Sequence, residues 1–215
     1  MCSHYQAVNP TRLQSHFQVR DIPLNLKHDL WPGYIGPFIR TQQDAQLQRE
    51  VLGGSFGLIP HWATDTKIAR NTYNARSETV AEKPSYRDAW RLARKCIIPA
   101  DAIYEPDWRS GKAVSTQIVR ADGKPMGIAG LWSAWQSPKG EVLHSFTMLT
   151  INADQHPFMS QFHKPTDEKR MVVILQDNDY DEWLSCDMNQ ARELLQPCDA
   201  EMLTIQSAAV SGTLI

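Results

Sequence analysis

Cys2 follows Met1, and removal of Met1 would place a free α-amine and a thiol on adjacent carbons. Such groups titrate near about 7.7–8.0 and about 8.5, so both hold nucleophilic fractions at neutral pH. Together they condense with an aldehyde. The amine forms an imine, the thiol closes on the same carbon, and a thiazolidine ring results. An internal cysteine cannot do this, because its nitrogen is an amide. Against this stands the plain reading of Cys2 as a buried or idle side chain. In Ile103-Tyr104-Glu105-Pro106-Asp107-Trp108, Glu105 lies among apolar and aromatic residues. Burial there would raise its pKa and make it a proton carrier near neutrality; a surface ion pair at a strand end is the competing reading. The polar run Tyr73 to Thr79 contains Asn74 and Arg76 and reads equally as an Asx-type turn. Phe162-His163-Lys164-Pro165 puts an imidazole in a loop, where a single His is more often structural than catalytic.

Several elements must position these groups. Asn9 and Pro10 act as N-cap and first helical residue, so a short helix over Thr11 to Val19 follows an extended Cys2 to Val8. Strands are predicted at Tyr34 to Ile39 and Phe56 to Ile59, separated by a Gln-rich connection. Pro60 to Thr79 has neither helical nor strand period and reads as a long ordered loop. Pro84 opens a helix through Lys95, with Ala89, Trp90 and Ala93 on its apolar side. Strands then follow at Ile97 to Trp108, Gln117 to Arg120, Met126 to Trp135 and Val142 to Asn152. Asp122-Gly123 and Pro138-Lys139-Gly140 supply turns between them. Ala153 to Lys169 is a second aperiodic loop, Met171 to Leu175 a buried strand, and Asp179 to Leu195 a helix broken near Asp187. This order predicts an α+β fold on an antiparallel, strongly curved sheet.

With 215 residues and 42% hydrophobic residues, the chain can bury one core and is expected to form one domain over 1–215. No apolar run of signal-peptide or membrane-span length occurs, so a soluble, cytoplasmic protein is expected. Cys2, Cys96, Cys186 and Cys198 show no C-x-x-C pair and no metal-ligand spacing, which fits a reduced compartment and no zinc or other cofactor. The net charge is −2, yet residues 67–95 carry +5 and the remainder −7. A basic face on an acidic body suits phosphate binding, and equally a solvated helix face.

Blocks in order along the chain resemble the SRAP (SOS-response-associated peptidase) family. They are Cys2 behind Met1; Phe56-Gly57-Leu58-Ile59-Pro60-His61-Trp62; Asn74-Ala75-Arg76-Ser77-Glu78-Thr79 with Glu82-Lys83-Pro84-Ser85-Tyr86-Arg87; Cys96 to Asp101 leading to Tyr104-Glu105; Gly127 to Trp132; and His163 with Arg170-Met171. The resemblance implies a single α+β domain on an open, barrel-like antiparallel sheet, with Cys2 at the floor of a positively charged groove. It implies capture of abasic sites in single-stranded DNA as a thiazolidine crosslink, in the DNA damage response.

By the same resemblance Asn74 orients the Cys2 amine or the sugar, Arg76 holds a flanking phosphate, and Glu105 is the general acid/base. His163 assists proton transfer with a pKa near the operating pH, and Trp62 stacks or wedges at a junction. Lys83, His4 and Arg170 complete the expected DNA contacts. The expected partner is single-stranded DNA with abasic sites, including junctions, bound by a monomer. The chain departs from the family in having Ser3-His4 where Gly-Arg is usual, Pro106 where Trp is common, and Ala102 where Gly is frequent. Lys164 to Lys169 also makes a longer loop before Arg170, which bears on the DNA structures accepted. Two other readings remain open on sequence: a thiol peptidase using Cys2, His163 and Asn74, and a non-catalytic DNA-binding module.

Overall fold

The computed structural model describes residues 2–20, 27–42 and 48–206. In chain order the elements are β1 (His4–Ala7), α1 (Pro10–Phe17), β2 (Asp29–Leu30), β3 (Ile35–Thr41), β4 (Arg49–Phe56), β5 (Asn74–Arg76), α2 (Arg87–Arg91) and β6 (Lys95–Asp107). After these come β7 (Val114–Arg120), β8 (Met126–Gln136), β9 (Val142–Asn152), β10 (Arg170–Val172), β11 (Ile174–Leu175), α3 (Tyr180–Ser185), α4 (Met188–Glu193) and β12 (Leu203–Ile205).

The sheet closes on itself. β6 pairs with β8, β8 with β9, β9 with β4, β4 with β3, and β3 returns to β6 at Ile39–Ile97. The β4–β9 and β5–β9 pairings are parallel, the rest of the ring antiparallel. The α+β class and the barrel-like sheet are therefore as expected, with the ring closed and these parallel seams added. Closure removes the unpaired edges that an open sheet would expose. β1 lies outside the ring along β6, with Tyr5 opposite Ile103 and His4 opposite Tyr104.

Phe38, Phe56 and Phe146 are fully buried, and the Phe56 and Phe146 rings stack 5.6 Å apart. Burying each such ring stabilises the fold by roughly 1.5–3 kcal/mol. α1 begins where expected: Asn9 Oδ1 accepts the Arg12 N–H at 3.0 Å, Pro10 follows, and Gln18 at φ 55° ends the helix. Leu13 and Phe17 face the core.

Some expected elements differ. The helix expected from Pro84 to Lys95 spans only Arg87–Arg91. Ala93 is exposed at φ 49°, and the Arg94 carbonyl already accepts from Trp132 N, because the apolar run after it belongs to β6. The strand expected at Phe56 to Ile59 instead ends at Phe56, where Gly57 turns the chain at φ 116°, and it starts back at Arg49. Part of the Gln-rich connection before it, 43–47, lies outside the described residues. Pro60 to Thr79 contains a 3-10 turn at Lys67–Asn71 and then β5. The break near Asp187 is present, with Asp187 capping α4 by accepting from Asn189 N and Gln190 N. Among the described residues no helix is long and apolar enough to cross a membrane.

Candidate functional site

The site forms where β1 begins beside the end of β6. With His4 opposite Tyr104, the antiparallel register carries Cys2 and Ser3 alongside Glu105 and Pro106. The Pro106 carbonyl accepts from His163 N at 2.8 Å, and Asp107 bridges to Phe162, so the second loop is tied to the same strand end. Four of the sequence-predicted residues converge here: Cys2, Asn74, Glu105 and His163. Cys2 is fully buried, and its thiol donates to its neighbour His4 O at 3.3 Å. Burial pushes the Cys2 thiol pKa up, and the nearby Glu105 charge adds to that, which corrects the expectation of a thiolate fraction at neutral pH.

β5 brings Asn74 to Cys2. Asn74 Nδ2 donates to the Cys2 carbonyl at 2.8 Å, and Tyr86 Oη holds the Asn74 carbonyl at 2.9 Å. Asn74 therefore grips the Cys2 backbone through its N–H, while its Oδ1 is buried with no hydrogen-bond partner among the described residues. Tyr86 has no role assigned by the sequence reading, and Tyr73, named there only as the start of the polar run, is half-buried at the site. Burial first, then Cys2 and Glu105, raise the Tyr73 pKa.

Glu105 is 1% exposed, and desolvation lifts its carboxyl to about 7. The burial and raised pKa expected of Glu105 are present, and it is not a surface residue at a strand end. His163 Nε2 lies 3.3 Å from Glu105 Oε2 and 3.0 Å from the Arg170 carbonyl. A carbonyl only accepts, so Nε2 carries the proton. Burial lowers His163 to about 4, which corrects the expectation of a pKa near the operating pH. At neutral pH His163 is therefore uncharged, with its Nε2 proton directed at the Arg170 carbonyl close to Glu105, and its φ of 65° fixes it in an uncommon left-handed conformation.

The expected DNA contacts divide. Trp62 is 47% exposed, with its indole N–H 3.3 Å from the Pro84 carbonyl, and Lys83 is exposed. Arg76 is exposed too, but its guanidinium pairs with Glu168 at 2.6 Å. His4 is sandwiched 4.0 Å from the rings of both Trp31 and Tyr104 and bonded to Asp29 at 2.9 Å.

Arg170 is corrected. It is 3% exposed and bound to both Glu78 oxygens, to Glu168 and to the Thr150 carbonyl, so it braces β10 against β9 from inside. Lys95, counted in the basic stretch, is likewise buried and donates to the Cys186 carbonyl. Arg170→Ala should cost about 2–3 kcal/mol, because the Thr150 carbonyl and the carboxylates lose their donor. Chemical denaturation measures this; a loss under about 0.5 kcal/mol would show that Arg170 is no brace.

A family model described as SOS response associated peptidase (SRAP) matches residues 1–212. Over 150 residues the chain is 37% identical to the abasic site processing protein YoqW of Bacillus subtilis, covering 68% of this chain and 63% of that protein. Over 186 residues it is 28% identical to the abasic site processing protein HMCES of Gallus gallus, covering 74% of this chain and 53% of that one. The matches thus span less than two thirds of these relatives' own length. A solved structure of a Bordetella bronchiseptica protein superposes with a TM-score of 0.87 at 44% identity, covering 96% of this chain and all of that one. With the family model matched across nearly its whole length, this chain belongs to the SRAP family.

Proposed function

We propose that the protein, once Met1 is removed, captures the ring-opened aldehyde of an abasic site in single-stranded DNA as a thiazolidine. The Cys2 amine adds to the aldehyde carbon and the resulting carbinolamine loses water to give an imine. The Cys2 sulfur then bonds to the imine carbon while its proton passes to the nitrogen, so the product is protein plus DNA minus one water. The observation that carries this reading is the burial of Glu105 against Cys2 with its carboxyl near 7. Such a group exchanges protons in both directions at neutral pH. It serves the loss of water as an acid and the thiol as a base. The buried acceptor Oδ1 of Asn74 suits the amine, and the relatives named for abasic site processing agree with the substrate.

The Cys-His-Asn hydrolase reading finds less support. Asn74 Nδ2 holds the Cys2 carbonyl, and His163 Nε2 is directed at Arg170 O and Glu105.

Intact mass after incubating protein that begins at Cys2 with a single-stranded oligonucleotide carrying one abasic site tests the proposal. A heat-stable adduct of protein plus DNA minus water is expected, and none from Cys2→Ala. No adduct from protein confirmed to start at Cys2, or an equal adduct from Cys2→Ala, overturns it.

A further inference from the structure

Arg76 is the exposed cation placed to meet DNA beside Asn74, yet it is already occupied. Glu168 Oε2 accepts from Arg76 Nη1 at 2.6 Å. The other oxygen of the same carboxylate, Oε1, accepts from Arg170 Nη1 at 2.9 Å and from Asn152 Nδ2 at 3.4 Å. Glu168 therefore does not reach Arg76 by chance of a mobile surface chain. It is held from behind by a buried arginine, which is itself locked by both oxygens of Glu78.

The segment that carries Glu168 is pinned as well. Lys169 N donates to Asp154 Oδ1 at 2.9 Å, the Lys169 carbonyl accepts from Ala153 N at 2.8 Å, and Lys169 Nζ caps the carbonyls of Lys164 and His163. The register explains why these groups meet. Arg76 lies opposite Thr150 on one side of β9 and Arg170 opposite Asn152 on the other, so Arg76 and Arg170 flank the same strand end. Glu168 spans the gap between them. The arginines draw its carboxyl below the usual range, Arg170 most, so it stays ionised at any working pH.

We propose that Glu168 is an internal stand-in for a DNA phosphate: its carboxylate occupies Arg76 in the free protein, and a phosphate of single-stranded DNA must displace it to bind. A carboxylate and a phosphate present the same pair of acceptor oxygens to a guanidinium, so the exchange conserves Arg76's bonding while leaving Glu168 on Arg170. The consequence is a specificity device. Weak, passing contacts with any polyanion are disfavoured by the exchange, and only a strand that also fills the Cys2 site compensates for it. This rests on the abasic-DNA reading above, since it assigns Arg76 to a strand phosphate.

The test uses protein starting at Cys2 and a single-stranded oligonucleotide bearing a tetrahydrofuran abasic analogue, which has no aldehyde and so reports binding alone. Exposed ion pairs contribute modestly, so Glu168→Gln is expected to bind roughly 3- to 5-fold more tightly than the parent at fixed salt. In the Arg76→Ala background the same change should alter affinity by less than about 1.5-fold, because the occupied cation is gone. A thermal melt of Glu168→Gln confirms that the fold is intact, and Glu168→Ser serves as the second variant if it is not.

Equal affinity of the parent and Glu168→Gln overturns the proposal, and so does binding by neither. An undiminished gain in the Arg76→Ala background also overturns it, because the effect is then general charge repulsion. The aldehyde-bearing oligonucleotide separates the two ideas. Loss of the crosslink there sinks the abasic-site reading, whereas a normal crosslink with no gain in Glu168→Gln sinks only the role of Glu168.

Discussion

Replacing Glu105 with Gln is expected to slow capture of an abasic aldehyde about 100-fold, the lower end of what a positioned general acid–base supplies, and to make the folded protein more stable at pH 8. Both effects come from one buried carboxyl. For the rate, the Glu105 carboxyl lies near 7, so the parent should show a step through that pH which the Gln variant lacks, the titration of the Cys2 amine being common to both. Single-turnover crosslinking between pH 5.5 and 8.5 reads this directly. Unchanged rates in a well-folded variant would remove Glu105 from the chemistry.

The sign of the stability effect follows from which state holds the proton. Desolvation raises Glu105 in the folded protein to about 7, above the ordinary value near about 4.3. Between those values the native state keeps a proton that the unfolded chain has released, so stability falls as pH rises through that window. Above it the folded protein carries a buried carboxylate at a standing penalty of roughly 3 kcal/mol, which neutral Gln escapes. Denaturation midpoints of the two proteins should therefore converge below about pH 5 and separate toward pH 8, with the variant higher. A difference independent of pH would mean that Glu105 ionises at its ordinary value. A group that destabilises its own fold at working pH is not retained for stability, which agrees with the proton-transfer role proposed for it.

Much of this site was legible because local composition set it. Glu105 stands between Tyr104 and Pro106 on a strand whose flanks are apolar, so burial followed from neighbours in sequence. The long strands β6, β8 and β9 were bounded by turn residues and could be placed within a few positions. What was not legible depends on partners far along the chain. The pKa of His163 is set first by its burial against the end of β6, which lies more than 50 residues earlier in the chain, and the loop sequence around residue 163 does not encode that burial. Arg170 and Lys95 looked like surface cations because the groups that bury them, Glu78 and Thr150 for one and Cys186 for the other, lie up to 92 residues away. The closure of the sheet through β6–β8 and the parallel seam β4–β9 have the same character. Strand pairing of that range leaves no periodic mark in either strand.

Gly57→Ala is expected to destabilise the protein by about 3 kcal/mol or more, the range of strained backbone combined with steric overlap. Gly57 sits at φ 116°, a region that side-chain-bearing residues rarely adopt, and an added Cβ would lie 1.9 Å from the Ala69 carbonyl oxygen. That neighbour is backbone, so no side-chain rotation relieves the overlap. The close approach has a purpose that the hydrogen bonds around it reveal. Gly57 N donates to Phe146 O, Leu58 N to Thr72 O and Ile59 N to Ser145 Oγ, while Thr72 Oγ1 returns a bond to Leu58 O. The end of β4 is thereby laced to β9 and to the residues immediately before Tyr73 and Asn74. Displacing the Ala69 turn should shift β5 and loosen the grip of Asn74 on Cys2, so crosslinking should slow even in variant protein that remains folded. Urea denaturation and single-turnover capture at a temperature where the variant is native measure the two parts. A loss of stability below about 1 kcal/mol would show that the turn yields to the new methyl group. In that case the path from Gly57 to Asn74 is not rigid, and the placement of Asn74 must come from Tyr86 and the β5–β9 pairing alone.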